Sequence, residues 1–235
     1  QVCNVPDYGM NEVADQAFAM MMALLRKLPQ CNREVHNGIW DYRRSIPIRR
    51  MGDLTVGVLG LGRIGCEFAR RLQAFNCRVI GCDIRYADEG FNPLDFVTPV
   101  SFGQMLKESD VISVHCSLNE STQHLFDEKA FKAMKPSAYF VNVARGGIVD
   151  EAGLEKALRE KWIAGAGLDV LEKEPMPENH FLKKYDNVIL SPHIAWYSEE
   201  AAREMKRKCA EEAVAFLQGR PPRYPVNQPD WEAAQ

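Results

Sequence analysis

Leu54-Thr55-Val56-Gly57-Val58-Leu59 runs directly into Gly60-Leu61-Gly62-Arg63-Ile64-Gly65. The apolar run reads as a buried strand, and Ile64 to Phe75 carries a helical pattern, so the three glycines sit at a strand-to-helix turn. In that setting each glycine has a separate task. Gly60 permits the tight turn, Gly62 lets a pyrophosphate approach the backbone, and Gly65 lets helix and strand pack closely. The N–H groups of Arg63 and Ile64 then face phosphate at a helix N-terminus.

The next strand, Arg78 to Cys82, ends on Asp83. An acidic side chain at that place accepts hydrogen bonds from an adenosine ribose and repels a 2′-phosphate, which predicts NAD over NADP. Arg85 pulls the other way, because a nearby arginine welcomes a phosphate.

Outward from this turn, short apolar runs alternate with helical patterns. Val111 to His115, Tyr139 to Val143, Ile163 to Leu168 and Val188 to Leu190 read as strands. Phe102 to Lys107, Asp127 to Met134 and Glu151 to Arg159 read as helices. Strands apolar on both faces, alternating with helices, predict an α/β fold built on a doubly wound parallel Rossmann sheet. Ligands of such sheets bind beyond the carboxyl ends of the strands, where Gly60, Asp83, Arg145, Asp169 and His193 should all gather.

Two helices flank the sheet segment. Asn11 is expected to cap an N-terminal helix whose apolar residues, from Val13 to Leu25, occupy more than one face, as in a helix packed on two sides. A C-terminal helix is expected from Glu199 to Gln218, with Gly219 as a left-handed cap and Pro221 and Pro222 preventing continuation. From Pro221 to Gln235 the tail reads as a loose extension.

Composition narrows the class of partner. The chain has 235 residues, 46% of them hydrophobic, and a net charge of -3, so nothing draws it broadly toward nucleic acid or anionic lipid. The arginines at 43, 44, 49 and 50 read as a solvated loop. The apolar stretch from Ala17 to Leu25 is too short to span a bilayer, and neither a signal peptide nor a membrane anchor is expected. Seven cysteines without a C-x-x-C pair predict reduced, mostly buried thiols in a cytoplasmic protein, and no metal site is expected.

Three further stretches complete a pattern: Val143-Ala144-Arg145-Gly146-Gly147-Ile148-Val149-Asp150, Gly167-Leu168-Asp169-Val170-Leu171-Glu172-Lys173-Glu174-Pro175 and Ser191-Pro192-His193-Ile194-Ala195. With the glycine loop, and in this order, they make the chain resemble the NAD-dependent D-isomer-specific 2-hydroxyacid dehydrogenases. The resemblance implies a hydride transfer between nicotinamide and C2 of a small D-2-hydroxy acid or 2-keto acid. It assigns His193 as the acid/base, Glu174 as its partner and Arg145 as the anchor of the substrate carboxylate. A carboxylate beside an imidazole stabilises the charged ring, and a guanidinium offers a fixed fork of donors. Formate dehydrogenases of the same superfamily differ at the position of Glu174, which argues for keto-acid reduction.

The resemblance adds Cys116, Ser117, Thr122, Val143, Ala144 and Ala195 to the cofactor-binding candidates. Ser117 stands where many relatives have proline, so this backbone is expected to be less rigid. Asp169 either holds the nicotinamide amide and ribose or caps the turn that follows it. His193-Ile194-Ala195-Trp196-Tyr197-Ser198, with Cys116 to Glu120, looks like the branch containing the C-terminal-binding-protein corepressors. Trp196 then either walls the substrate pocket or packs against the last helix.

By the same resemblance, residues 1–52 form an interdomain helix and connecting loop, 53–197 the NAD-binding domain, and 198–235 a C-terminal helix and tail returning to a substrate domain. Most of that substrate domain is expected to be absent, leaving a segment that binds NAD and turns over slowly or not at all. A homodimer is expected. Two alternatives stay open: an NAD(H)-sensing, corepressor-like interaction protein, and a phosphoglycerate dehydrogenase.

Overall fold

The computed structural model describes residues 2–227. Its strands are β1 (Thr55–Leu59), β2 (Arg78–Cys82), β3 (Thr98–Pro99), β4 (Val111–Val114), β5 (Tyr139–Asn142), β6 (Gly165–Leu168) and β7 (Val188–Leu190). They form one sheet in the order β3-β2-β1-β4-β5-β6-β7, with every pairing parallel. Strand order reverses direction at β1, whose neighbours are β2 and β4, and this reversal opens the crevice into which the glycine loop projects.

The helices are α1 (Met10–Leu25), α2 (Leu28–His36), α3 (Arg63–Gln73), α4 (Phe102–Glu108), α5 (Glu128–Ala133), α6 (Glu151–Arg159) and α7 (Glu199–Leu217). Because side chains alternate across a strand, Val111 and Val141 enter one core with α1 and α3, while Ile112 and Phe140 enter the other with α4, α5 and α6. Two cores on opposite faces explain why the strands read as continuous apolar runs.

Side-chain caps start the later helices: Ser101 accepts from the Gln104 N–H, Asp127 from Ala130, Asp150 from Ala152 and Ser198 from Ala201. Each such cap contributes about 1 kcal/mol. Gly219 takes the left-handed conformation expected of it, with φ +73°.

Three sequence expectations need correction. Gly9, with φ +64°, occupies the cap position of α1, and Asn11 lies inside the helix. The reason is that Asn11 serves another purpose there, accepting from Arg71 of α3 through both its carbonyl and its Oδ1. α2 was not anticipated; it is short and polar and has no fully buried residue to give it a pattern. The described part of the tail is held in place: the Val226 N–H donates to the Val2 carbonyl, Cys3 and Pro225 form an antiparallel bridge, and the Tyr224 hydroxyl donates to Asp7. The remaining tail residues lie outside the described region.

Candidate active site

Gly60 has φ +87°, and a Cβ on it would come within 2.7 Å of the Cys116 nitrogen, so a side chain is excluded on two counts. A Cβ at Gly65 would collide with the Gly60 carbonyl, whereas one at Gly62 would meet nothing within 4 Å. The loop is therefore closed beneath and open above. Gly62 occupies the cap position of α3 and has no side chain to cap it, leaving the first N–H groups of the helix for a ligand. This open cradle and uncapped terminus fit the pyrophosphate of a dinucleotide.

Two adjoining cavities extend from the loop. One, of about 550 Å³, is lined by Gly60, Gly62, Asp83, Arg85, Cys116, Ser117 and Thr122, among others. The second, of about 610 Å³, is lined by Ile64, Val143, Ala144, Arg145, Asp169, His193, Ala195 and Trp196 and shares His115, Cys116 and Ser117 with the first. Nearly every sequence-derived candidate thus faces one of them. Gly65 lies beneath the loop as packing, the Arg63 side chain turns away to the Pro6 carbonyl at 3.4 Å, and Glu174 lines a third cavity, of about 590 Å³, that meets the second at Asp169 and His193.

Asp83 is 6% exposed at its side chain and is already occupied: Oδ2 accepts the Leu61 N–H at 2.6 Å, and both oxygens hold Arg85. Burial pushes its carboxyl up, but the Arg85 and Leu61 hydrogen bonds and the Arg85 charge outweigh that and hold it below the ordinary carboxylate range. The missing proline at Ser117 is compensated by a side-chain brace. Thr122 Oγ1 donates to the Ser117 carbonyl at 2.7 Å and accepts the Asn119 N–H at 2.8 Å. Burial drives the Cys116 thiol up to about 11, so it stays protonated as a wall.

Beyond β6 and β7, His193 stands between the second cavity and the third and carries paired chemistry. His193 Nδ1 donates to Glu174 Oε2 at 2.6 Å, and Glu174 Oε1 accepts the Leu171 N–H at 3.0 Å. With Nδ1 committed to the carboxylate, Nε2 is the ring nitrogen left for proton exchange. His193 has φ +54°, an uncommon conformation for a residue with a Cβ. Asp169 enforces it: its carboxylate accepts from the Ser191 hydroxyl and from the Ile194 and Ala195 N–H groups, and its own carbonyl accepts the His193 N–H. The geometry therefore supports the turn-holding reading of Asp169.

Arg145 lies on the same cavity wall, after β5. Asn142, fully buried, shapes that turn by donating to the Arg145 carbonyl and accepting the Ala144 N–H. Sequence reasoning missed Asn142, although an Asn three residues before the arginine is a recognisable turn signal. His115 follows β4 at the same sheet edge and opens the segment that runs to Thr122. Burial takes this imidazole down to about 3, so it is neutral behind the glycine loop. The wall formed by Val5, Pro6 and Tyr8 carried no local signal. Tyr8 meets Trp196 edge to face at 6.0 Å, which places the indole in the cavity wall.

Residues 18–195 match the family model described as D-isomer specific 2-hydroxyacid dehydrogenase, NAD binding domain. The chain belongs to that family. It is an NAD-dependent oxidoreductase, and NAD is the guest that the two cavities and the glycine loop fit. Among its relatives is a glyoxylate reductase of Korarchaeum cryptofilum, 40% identical over 232 residues that span 97% of this chain and 69% of that protein. A D-3-phosphoglycerate dehydrogenase of Archaeoglobus fulgidus is 39% identical over 98% of this chain and 44% of its own length. The D-lactate dehydrogenase of Lactobacillus jensenii, solved with NAD+, superposes with a TM-score of 0.88 at 30% identity, covering 97% of this chain and 72% of that one. Among the described residues of this family member, no helix is long and apolar enough to cross a membrane, and no cluster of His, Cys, Asp and Glu could hold a metal ion.

Proposed function

We propose that the protein reduces a small 2-keto acid to its D-2-hydroxy acid, with His193 as acid/base, Glu174 as its partner and Arg145 as the carboxylate anchor. The 2.6 Å contact between His193 Nδ1 and Glu174 Oε2, with His193 on the same cavity wall as Arg145, carries this reading. Bound NADH supplies the hydride. His193 supplies a proton from Nε2 to the keto oxygen, and Glu174 stabilises the ring in its charged form before that transfer. Arg145 offers paired donors to a carboxylate and its charge polarises the adjacent carbonyl. Trp196 and Tyr8 form an aromatic side to the substrate space.

The His193 and Glu174 side chains are 44% and 37% exposed, so the pair acts most strongly once a bound substrate displaces water. Glyoxylate and its small homologues are the substrates favoured by the relatives' names. Cofactor contacts fall to Gly60, Gly62, Asp83, Cys116, Ser117 and Thr122 on one side and to Ile64, Val143, Ala144 and Ala195 on the other, where Asp169 holds the His193 turn. The test is NADH oxidation with glyoxylate, hydroxypyruvate, pyruvate and phenylpyruvate. Turnover of at least one, abolished by His193→Ala, is expected; indifference to that substitution would remove the assignment.

The division into an interdomain helix at 1–52, a nucleotide-binding unit at 53–197 and a C-terminal helix and tail belongs to the same reading. So does a homodimer, for which the exposed Leu28, Val35, Trp40, Tyr42 and Ile46 around α2 offer apolar surface, and a cytoplasmic setting, which suits seven free thiols. Sedimentation of the purified protein tests the dimer.

A further inference from the structure

Glu174 sits on a loop running from Leu171 to His180, and an irregular segment carrying one partner of a 2.6 Å pair needs external support. That support comes from α6. Glu151, the first residue of the helix, is largely buried, with a side chain 12% exposed. Its Oε1 accepts the Glu172 N–H at 2.8 Å, and its Oε2 accepts His180 Nε2–H at 3.0 Å. One carboxylate therefore grips both ends of the loop. The His180 ring is itself 9% exposed and is fixed on its other side, where Nδ1 accepts the Leu182 N–H.

Neighbouring contacts tighten the same point. The Glu172 side chain pairs with His124 at 2.5 Å, so that residue is held by its backbone and by its side chain. A Cβ at Gly146 would collide with the Leu171 carbonyl and the Glu172 nitrogen, so the turn carrying Arg145 lies directly against the turn carrying Glu174. The segment from Gly146 to Glu151 thus meets the Glu174 loop at two places.

We propose that Glu151, acting with His180, is a positioning residue that sets Glu174 against His193 and keeps the Glu174 loop in register with Arg145. This rests on the His193–Glu174 assignment above. Glu151 touches none of the reacting groups; it acts through the Glu172 N–H and His180. A buried carboxylate with two donors at opposite ends of a loop is well suited to that task, because losing it leaves both donors unpaired.

The experiment compares Glu151→Ala, Glu151→Gln and His180→Ala with wild type, alone and combined with Glu174→Gln. In Glu151→Ala, kcat is expected to fall on the order of tenfold while the KM for NADH holds, as misplacement of a reacting pair costs rate and leaves remote binding intact. Glu151→Gln keeps an acceptor for Glu172 and should recover part of that loss; His180→Ala should lose less than Glu151→Ala. In the Glu174→Gln background the Glu151 substitution should add little, because two residues acting through one contact are not additive.

A second readout needs no turnover. The His193 Nδ1 proton, identified in the proton NMR spectrum by its loss in His193→Ala, should weaken or vanish in Glu151→Ala and persist in part in Glu151→Gln. Wild-type kcat together with an unchanged proton in Glu151→Ala would overturn the proposal, as would full additivity with Glu174→Gln. If Glu151→Ala does not fold, Glu151→Gln and His180→Ala decide, and wild-type behaviour of both overturns it. Turnover that survives His193→Ala would instead remove the catalytic assignment, leaving the proton readout to judge Glu151 alone.

Discussion

Asp83 and Arg85 hold each other at two points, Arg85 Nε lying 3.0 Å from Oδ1 and Nη2 2.7 Å from Oδ2. The arginine that a 2′-phosphate would attract is thereby tied to the carboxylate that would repel it. Arg85 also lies over the Phe91 ring at 4.4 Å, which fixes its stem beside the cavity. Removing Asp83 should therefore do two things at once: delete the ribose acceptor and release a cation. Asp83→Ser is expected to narrow the preference for NADH over NADPH on the order of tenfold or more, the worth of one charged hydrogen bond. Fluorescence titration with both cofactors measures it, and an unchanged ratio would show that Asp83 does not select the cofactor.

His193→Ala should cost on the order of a hundredfold or more in kcat, the usual contribution of a general acid. NADH affinity should change far less, because the glycine loop and Asp83 lie on the other cavity. Parallel measurements of turnover and NADH binding separate the two effects; equal losses in both would make His193 a binding residue.

The pH dependence follows from Glu174. Burial pushes its carboxyl up, but the His193 hydrogen bond, the Leu171 N–H and the charges of His193 and Arg145 together bring it below the ordinary glutamate value. A depressed pKa means the Glu174 carboxylate is charged above the ordinary value of about 4.3 and is protonated as pH falls through the lowered one. The acid limb of kcat/KM assigned to Glu174 should accordingly lie below that ordinary value and disappear in Glu174→Gln. A limb that survives this substitution belongs to another group.

Asp110 supports the opposite end of the sheet. Its side chain, 7% exposed, accepts from the Thr55 N–H at 2.9 Å, Arg49 at 2.8 Å and Lys135 at 3.1 Å. Asp110→Ala leaves the Thr55 donor unpaired at the start of β1 and should cost about 2–3 kcal/mol in urea unfolding. A loss below about 0.5 kcal/mol would place it with ordinary surface substitutions. Here too the carboxyl is held low, against the upward push of burial, by the Thr55 N–H, Lys135 and Arg49. The stability it contributes is present above the unfolded carboxylate value and is lost as pH falls through the lowered one.

Much of this protein was legible from local pattern. Continuous apolar runs between helical patterns located six of the seven strands, and the glycine turn at Gly60 to Gly65 sits where strand meets helix because each glycine answers a purely local need for space. β3, two residues long, and α2, polar and without a fully buried residue, escaped because neither leaves a periodic apolar trace. Asn11 misled for a related reason: its side chain suits a helix cap, yet α3 brings Arg71 to it from 60 residues away.

The sequence by itself determined the parallel sheet and the cofactor turn, and its family resemblance nominated Arg145, Glu174 and His193, because apolar runs and motif order are properties of neighbours along the chain. Only the tertiary structure decided that Asp83 reaches back to Leu61, that Asn142 shapes the Arg145 turn, that Tyr8 meets Trp196 and that Glu151 grips the Glu174 loop. Those contacts join distant segments, and which segments meet is set by the order of strands in the sheet and the burial of its two faces, which no short stretch of residues encodes.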